Sequence, residues 1–202
     1  MRIWILLSFL VLNIHAFAQE FRGGITGGVL SSQVDGDLQG GYNKASFHVG
    51  AFVQRPVFDK IDANMEIRYI RKGALSNATD ENGYYINYFR TRMNYVEIPF
   101  TLLYKSGSFR FEAGMALGAL VNTSLEDGNG EIGEKLNIYN YELSVIGGMF
   151  YEVDDNWQIN FRAQYSALPI YDALGKDITV LYYGQRYWFN NLISFGLYYY
   201  IR

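Results

Sequence analysis

The sequence predicts an all-β fold, an eight-stranded antiparallel up-and-down transmembrane β-barrel with a packed polar lumen, and three observations carry that prediction. Eight segments alternate apolar and polar residues; tight turns and long connections alternate between them; and the polar face of the segments is rich in glycine. A period of two sends successive side chains to opposite faces of a strand, so each face can be read by parity.

Composition bounds the remaining possibilities. The chain has 202 residues, half of them hydrophobic, with 21 Gly, 18 Tyr, 3 Pro, no Cys and a formal charge of -3. That suits one domain rich in strands and turns. Scattered Lys and Arg give no basic arm or patch for nucleic acid. Without Cys there is no disulfide framework, thiolate zinc site or cysteine nucleophile, and no cofactor is expected.

The first element is a leader. "MRIWILLSFLVLNIHAFA" has a basic Arg2, an apolar run from Ile3 to Ile14 and a small-x-small Ala16-Phe17-Ala18, the form of a signal peptide over residues 1–18. Its apolar run is well short of the roughly twenty residues that a helix needs to cross a bilayer. Gln19 is the expected mature N-terminus, with the barrel domain over 19–202. No later stretch reads as a membrane helix, which leaves an exported soluble protein or an outer-membrane barrel.

Strands follow in order. "FRGGITGGVLSS" is Gly-rich and the least regular; "ASFHVGAFVQRP" sets Phe47, Val49, Ala51 and Val53 against His48, Gly50, Phe52 and Gln54. "IDANMEIRYIRK" sets Ile61, Ala63, Met65, Ile67 and Tyr69 against Asp62, Asn64, Glu66, Arg68, Ile70 and Lys72. In "NYVEIPFTLLY" Glu97 shares its face with Tyr95, Pro99 and Thr101, opposite Val96, Ile98 and Phe100. "FRFEAGMALGAL", "YELSVIGGMFYEV", "WQINFRAQYS" and "NLISFGLYYYIR" alternate likewise. Residues 57–60, 105–108 and 154–157 read as tight turns, and 32–44, 73–91, 121–138 and 167–190 as long connections. Membrane barrels have this arrangement, with short turns on the periplasmic side and long loops outside.

Alternation alone does not say which face points outward, since a soluble barrel has the same period. The polar face carries Gly24, Gly28, Gly50, Gly114, Gly118, Gly148 and Gly196 among larger side chains, as a narrow interior requires. The apolar face has Tyr104, Phe109, Tyr151 and Trp157 beside short turns and Tyr141 beside a long loop, suiting interfacial girdles. Charges in such a lumen need partners, because a charge removed from water costs several kcal/mol unless paired. Glu66, Glu97, Glu112 and Glu142 are therefore expected among Arg68, Arg110 and Arg162, with Arg68–Glu97 as the first pair. The competing reading is a water-filled pore that solvates them.

Catalytic constellations are thin. His48 falls on the lumen face, and parity puts no serine beside it for a triad, so no enzyme is expected. "EDGNGE", residues 126–131, lacks the ligand order of a calcium loop and reads as a polar tip, so no metal is expected either. In the long connections, "NGYYINYF" and "LYYGQRYWF" concentrate aromatics, and Tyr84, Tyr85, Tyr88, Tyr187 and Trp188 are candidate contact residues for a partner. The alternative is that strands continue past the membrane and these residues form its outer aromatic belt.

"FHVGAFVQRP", "MEIRYIRKG", "NYVEIPFTLLYK", "FEAGMALGALV" and "YELSVIGGMFYEV" resemble successive strands of the PorT-like outer-membrane β-barrel proteins, most specifically at Tyr95–Pro99 and Glu66–Gly73. The resemblance spans nearly all of the mature chain. It implies an outer-membrane barrel and, for some members, a part in protein secretion or maturation of exported proteins. The functional expectation is a non-enzymatic, monomeric barrel in the outer membrane of a Gram-negative bacterium. It would contact membrane lipid, bind a protein partner through its loops or turns, and bind no nucleic acid. A lipid-modifying enzyme and a small pore are the alternatives.

Overall fold

The computed structural model describes residues 21–37, 41–79, 85–127, 130–131, 138–172 and 187–201, with the backbone alone at 77–79, 85–88, 131 and 172. The expected signal peptide lies outside the described residues. Eight long strands are β1 (Arg22–Asp35), β2 (Lys44–Phe58), β3 (Ile61–Thr79), β4 (Tyr85–Ser106), β5 (Phe109–Asp127), β7 (Tyr141–Glu152), β8 (Trp157–Ser166) and β10 (Tyr187–Ile201). Two short strands, β6 (Gly130–Glu131) and β9 (Tyr171–Asp172), pair with the outer parts of β5 and β10.

Each long strand pairs antiparallel with its sequence neighbour in the order β1-β2-β3-β4-β5-β7-β8-β10. β10 returns to β1 over Gly23↔Ile201 to Asp35↔Phe189, which closes the ring and leaves no sheet edge between them. The three tight turns are at the same end. One is Gly107-Ser108, where Gly107 takes φ 62°, a conformation that favours glycine.

Parity assigns the faces as expected. Ile25, Val29, Val49, Ile67, Phe100, Leu117, Phe161 and Leu197 are exposed, while Glu66, Arg68, Glu97, Glu112, Arg162 and Gln164 are buried. An exterior lined this heavily with large apolar side chains is a lipid-facing band rather than a solvated surface. Aromatic pairs sit at its short-turn rim, Phe109 with Tyr151 at 5.2 Å and Trp157 with Tyr199 at 4.8 Å between ring centroids. The lumen-side glycines let the sheet close tightly over bulky neighbours. A Cβ on Gly50 would lie 2.3 Å from the Ile67 carbonyl oxygen, and one on Gly28 would lie 2.6 Å from His48 Nε2.

The boundaries at the other end differ from the sequence reading. Residues 73–91, read as a long connection, are strand over 73–79 and 85–91, paired from Gly73↔Arg92 to Thr79↔Tyr85. Gly73 does not end β3. At φ 136° it sits close against β4, where a Cβ would meet the Thr91 carbonyl oxygen at 2.0 Å. β5 likewise runs on to Asp127, so the tip at 126–131 is a pairing of Glu126 with Glu131 and Asp127 with Gly130. Pairing between β7 and its neighbours stops earlier, at Ala119↔Tyr141 and Ser144↔Ser166. The outer rim is consequently uneven, tall at β3–β5 and low at β7–β8.

Candidate functional site

The lumen is layered. Nearest the short turns, Phe52, Leu103, Phe150, Tyr198 and Tyr200 form an apolar cluster, with Phe52 edge-on to both Tyr198 and Tyr200 at 5.1 Å. Around its rim Arg110 Nη1 donates to Asp62 Oδ2 at 2.8 Å and Arg110 also pairs with Glu152. Tyr200 donates its hydroxyl hydrogen bond to Gln54.

Charges fill the middle. Arg162 is fully buried and bridges two strands' carboxylates: Nη2 donates to Glu66 Oε1 and to Glu112 Oε1, each at 2.6 Å, and Nε donates to Glu112 Oε2 at 2.9 Å. The remaining carboxylate lone pairs are met by neutral donors. Glu66 accepts from Asn64 Nδ2 at 2.9 Å and from the Tyr198 hydroxyl at 3.1 Å; Glu112 accepts from the Thr101 hydroxyl at 2.8 Å. Ionised groups survive burial only with this kind of satisfaction.

One layer further out, Arg68 donates from Nε and Nη2 to Glu97 Oε2 at 3.1 and 2.9 Å, a forked contact across the directly opposed pair Arg68↔Glu97. Lys72 Nζ lies 2.5 Å from Glu97 Oε1 and 2.7 Å from Glu142 Oε1. Gln164 donates to Glu97 at 3.1 Å and to the Ser144 hydroxyl at 2.6 Å, while Asn190 and Ser166 each donate to Glu142 at 2.8 Å. All seven charged residues expected in the lumen face inward, six of them in two groups and the seventh apart. Glu66, Glu112 and Arg162 form one centre and Arg68, Glu97 and Glu142 another. Arg110 sits apart with Asp62 and Glu152, nearer the short turns. Lys72, Asp62, Glu152 and the amide Gln164 join this network as well; parity puts all four on the polar face, but the expected set of charge partners does not include them. Lys72 shares parity with Glu66 and Arg68, and its partner Glu142 lies across the lumen on β7, a contact that strand periodicity does not reveal.

Above the charges, the mouth is closed by Leu30, Val34, Ile70, Met93, Tyr95, Trp188, Leu192 and their neighbours, with Ile138, Ile170 and Tyr171 folded in from the connections. Backbone bonds fix that infolding: Tyr139 N–H donates to the Ile170 carbonyl, and Ile170 N–H to the Trp188 carbonyl, both at 2.8 Å. An antiparallel ring of eight strands with an apolar belt, short turns at one end, long hairpins at the other and a charged, plugged interior is the architecture of small outer-membrane barrels. The family model described as outer membrane protein beta-barrel domain matches residues 15–170.

The chain belongs to that family of outer-membrane barrels.

Solved structures share the fold. The barrel is similar to Ail, the attachment invasion locus protein of Yersinia pestis, at 12% identity, with a TM-score of 0.51 over 90% of this chain and 99% of Ail. It is similar to Neisserial surface protein A at 11% identity, with a TM-score of 0.56 over 90% of this chain and 97% of the other. No curated protein matches the sequence. The protein is thus an integral outer-membrane protein, and its short turns are periplasmic.

The candidate loop aromatics of this outer-membrane barrel divide. Tyr84 lies outside the described residues; Tyr85 and Tyr88 belong to the backbone of β4, not to a loop. Trp188, expected as an exposed contact residue, is instead 5% exposed and packs on Tyr171 at 4.8 Å inside the mouth. Strand parity is the reason: β10 begins at Tyr187, so Trp188 points into the lumen and Tyr187 outward. His48 is buried beside Gly28 and Gly196, and its Nδ1 has no hydrogen-bond partner among the described residues. No serine or acid is bonded to it there to make a nucleophile–base pair.

Proposed function

We propose that this protein is a non-enzymatic, closed barrel that acts as a binding platform at the cell surface, associated with the envelope or with secretion in the manner of the PorT-like proteins it resembles. The observation that carries this reading is the plugged lumen. Ion-paired charges lie between an apolar cluster at each end, and such an interior offers no continuous aqueous path. What remains available for function is the part beyond the apolar belt. On β3 and β4 the paired hairpin continues past the Arg71↔Asn94 pair to Thr79↔Tyr85, a projection of roughly 25 Å at about 3.3 Å per residue. In this reading residues 1–18 are removed on export and the barrel is monomeric.

The test compares the full chain with a variant whose β3–β4 hairpin is trimmed evenly from both strands, deleting residues 76–89 and closing the ends with a tight turn. Both should remain heat-modifiable on gels, and crosslinking in whole cells should capture a partner protein with the full chain and lose it with the trimmed one. Steady current across planar bilayers would replace this reading with a pore. A change in lipid A acyl chains between cells with and without the protein would replace it with a lipid-modifying enzyme.

A further inference from the structure

We infer that the outward face of β3–β5, where it leaves the apolar belt at the extracellular end, is a site for a phosphorylated, acylated lipid of the outer leaflet. Two features lie one above the other there. The lower is an apolar groove of about 1040 Å³ on the outside of the barrel. It is lined by Val96 and Ile98 of β4, Leu117 of β5, Tyr141 of β7, and Leu168 and Tyr187 from the low rim. The groove exists because β7 and β8 end early while β4 and β5 continue, so the Leu168 connection forms one wall and the tall sheet the other. A recess of this size at lipid depth fits acyl chains.

The upper feature is a cluster of guanidinium groups on the same outward parity. Arg71 lies two residues beyond Tyr69, and Arg92 and Arg90 lie four and six residues beyond Val96; Tyr69 and Val96 are themselves paired. Along the tilted strands these offsets place Arg71 roughly 7 Å, Arg92 roughly 13 Å and Arg90 roughly 20 Å past the belt, a span that runs from the headgroup layer to the space just outside it. Among the described side chains of this cluster there is one carboxylate, Glu126, shared between Arg92 and Arg90, the latter at 3.7 Å. Arg71 is bonded to the neutral Asn94 at 3.0 Å and lies over the Phe47 ring at 5.4 Å. Arg90 Nε is shielded from solvent and has no acceptor among the described residues.

Among the described side chains, three cations to one anion, with a donor unmet, at and just above headgroup height beyond an acyl-sized groove, is complementary to a lipid that carries phosphate on its head. Guanidinium forks match phosphate oxygens geometrically, and the low dielectric beside the membrane strengthens the attraction. A general preference of cations for the interface would need only the arginines; the groove that starts at Val96, four residues below Arg92 on β4, makes the face a site.

Purified barrel in detergent, titrated with lipid A, with enzymatically dephosphorylated lipid A and with inorganic phosphate, tests this by tryptophan fluorescence and by native mass spectrometry of retained adducts. The wild-type protein should prefer phosphorylated lipid A. R90Q/R92Q should weaken that binding by about tenfold or more, the scale of one lost charged hydrogen bond, and leave the dephosphorylated lipid unaffected. Leu168→Asn should weaken both lipid forms, and R55Q, at the periplasmic end, neither. Heat-modifiability on gels establishes that each variant is folded. Equal affinity of the wild type for the two lipids, or unchanged binding in folded R90Q/R92Q, would overturn the inference. So would arginine-dependent binding of inorganic phosphate that matches lipid A, because the groove would then contribute nothing.

Discussion

Replacing Arg162 with Leu is the sharpest perturbation of this barrel. The guanidinium makes hydrogen bonds to Glu66 Oε1 and Oε2 and to Glu112 Oε1 and Oε2, at 2.6, 3.2, 2.6 and 2.9 Å, and all three side chains are fully buried. Removing one partner of a buried pair costs about 3 to 5 kcal/mol, because the other charge stays behind without compensation. Here one deletion strands two carboxylates. Neutral donors remain to each, Asn64 and Tyr198 for Glu66, Thr101 and Asn160 for Glu112, so the two penalties do not simply add. A loss at the upper end, about 5 kcal/mol, is expected. Urea unfolding of protein refolded into phosphatidylcholine vesicles, followed by tryptophan fluorescence, measures it. The triple variant R162L/E66Q/E112Q should recover at least half of the loss, since it removes the stranded charges along with their partner. A loss under about 1 kcal/mol, with no rescue in the triple variant, is the behaviour of solvated charges and would refute the dry, packed lumen.

Other outcomes follow from the same geometry. Arg in place of Ile67 or Phe100, which are 55% and 50% exposed on the lipid face, should destabilise the barrel by about 2 to 4 kcal/mol in the same unfolding assay if they lie near the bilayer midplane. Gly50→Ala should destabilise by at least about 1 kcal/mol, because its Cβ would meet backbone at 2.3 Å, whereas Gly147→Ala, with nothing within 4 Å, should be neutral in thermal melts. Trp188→Ala should cost about 3 to 5 kcal/mol by opening a cavity in the outer plug, and faster hydrogen exchange at Ile170 and Tyr171 should report the loosened mouth. N-terminal sequencing of protein isolated from outer membranes should begin at Gln19; an intact leader would refute cleavage at Ala18.

Period-two alternation by itself determined the strands, their faces and the positions of the tight turns, because side-chain direction in a strand is a local property of the backbone. It placed Glu66, Arg68, Glu97, Glu112, Glu142 and Arg162 in the interior, and the need of buried charge for a counter-charge paired Arg68 with Glu97 across adjacent strands. Where the strands end was not legible. Gly73 reads as a terminator, yet pairing with Arg92 carries β3 onward, since a partner strand can supply hydrogen bonds that no local propensity encodes. That misplaced end left Tyr85 and Tyr88 in a loop. Contacts across the lumen were equally invisible: Arg162 reaches Glu66, 96 residues away, and Gln164 reaches Arg68 over the same separation, only because the ring closes through β1 and β10. The groove below Arg90 and Arg92 is also a tertiary product. It arises from the difference in height between neighbouring strands, which is set by pairing around the whole circumference and by no single segment of the chain.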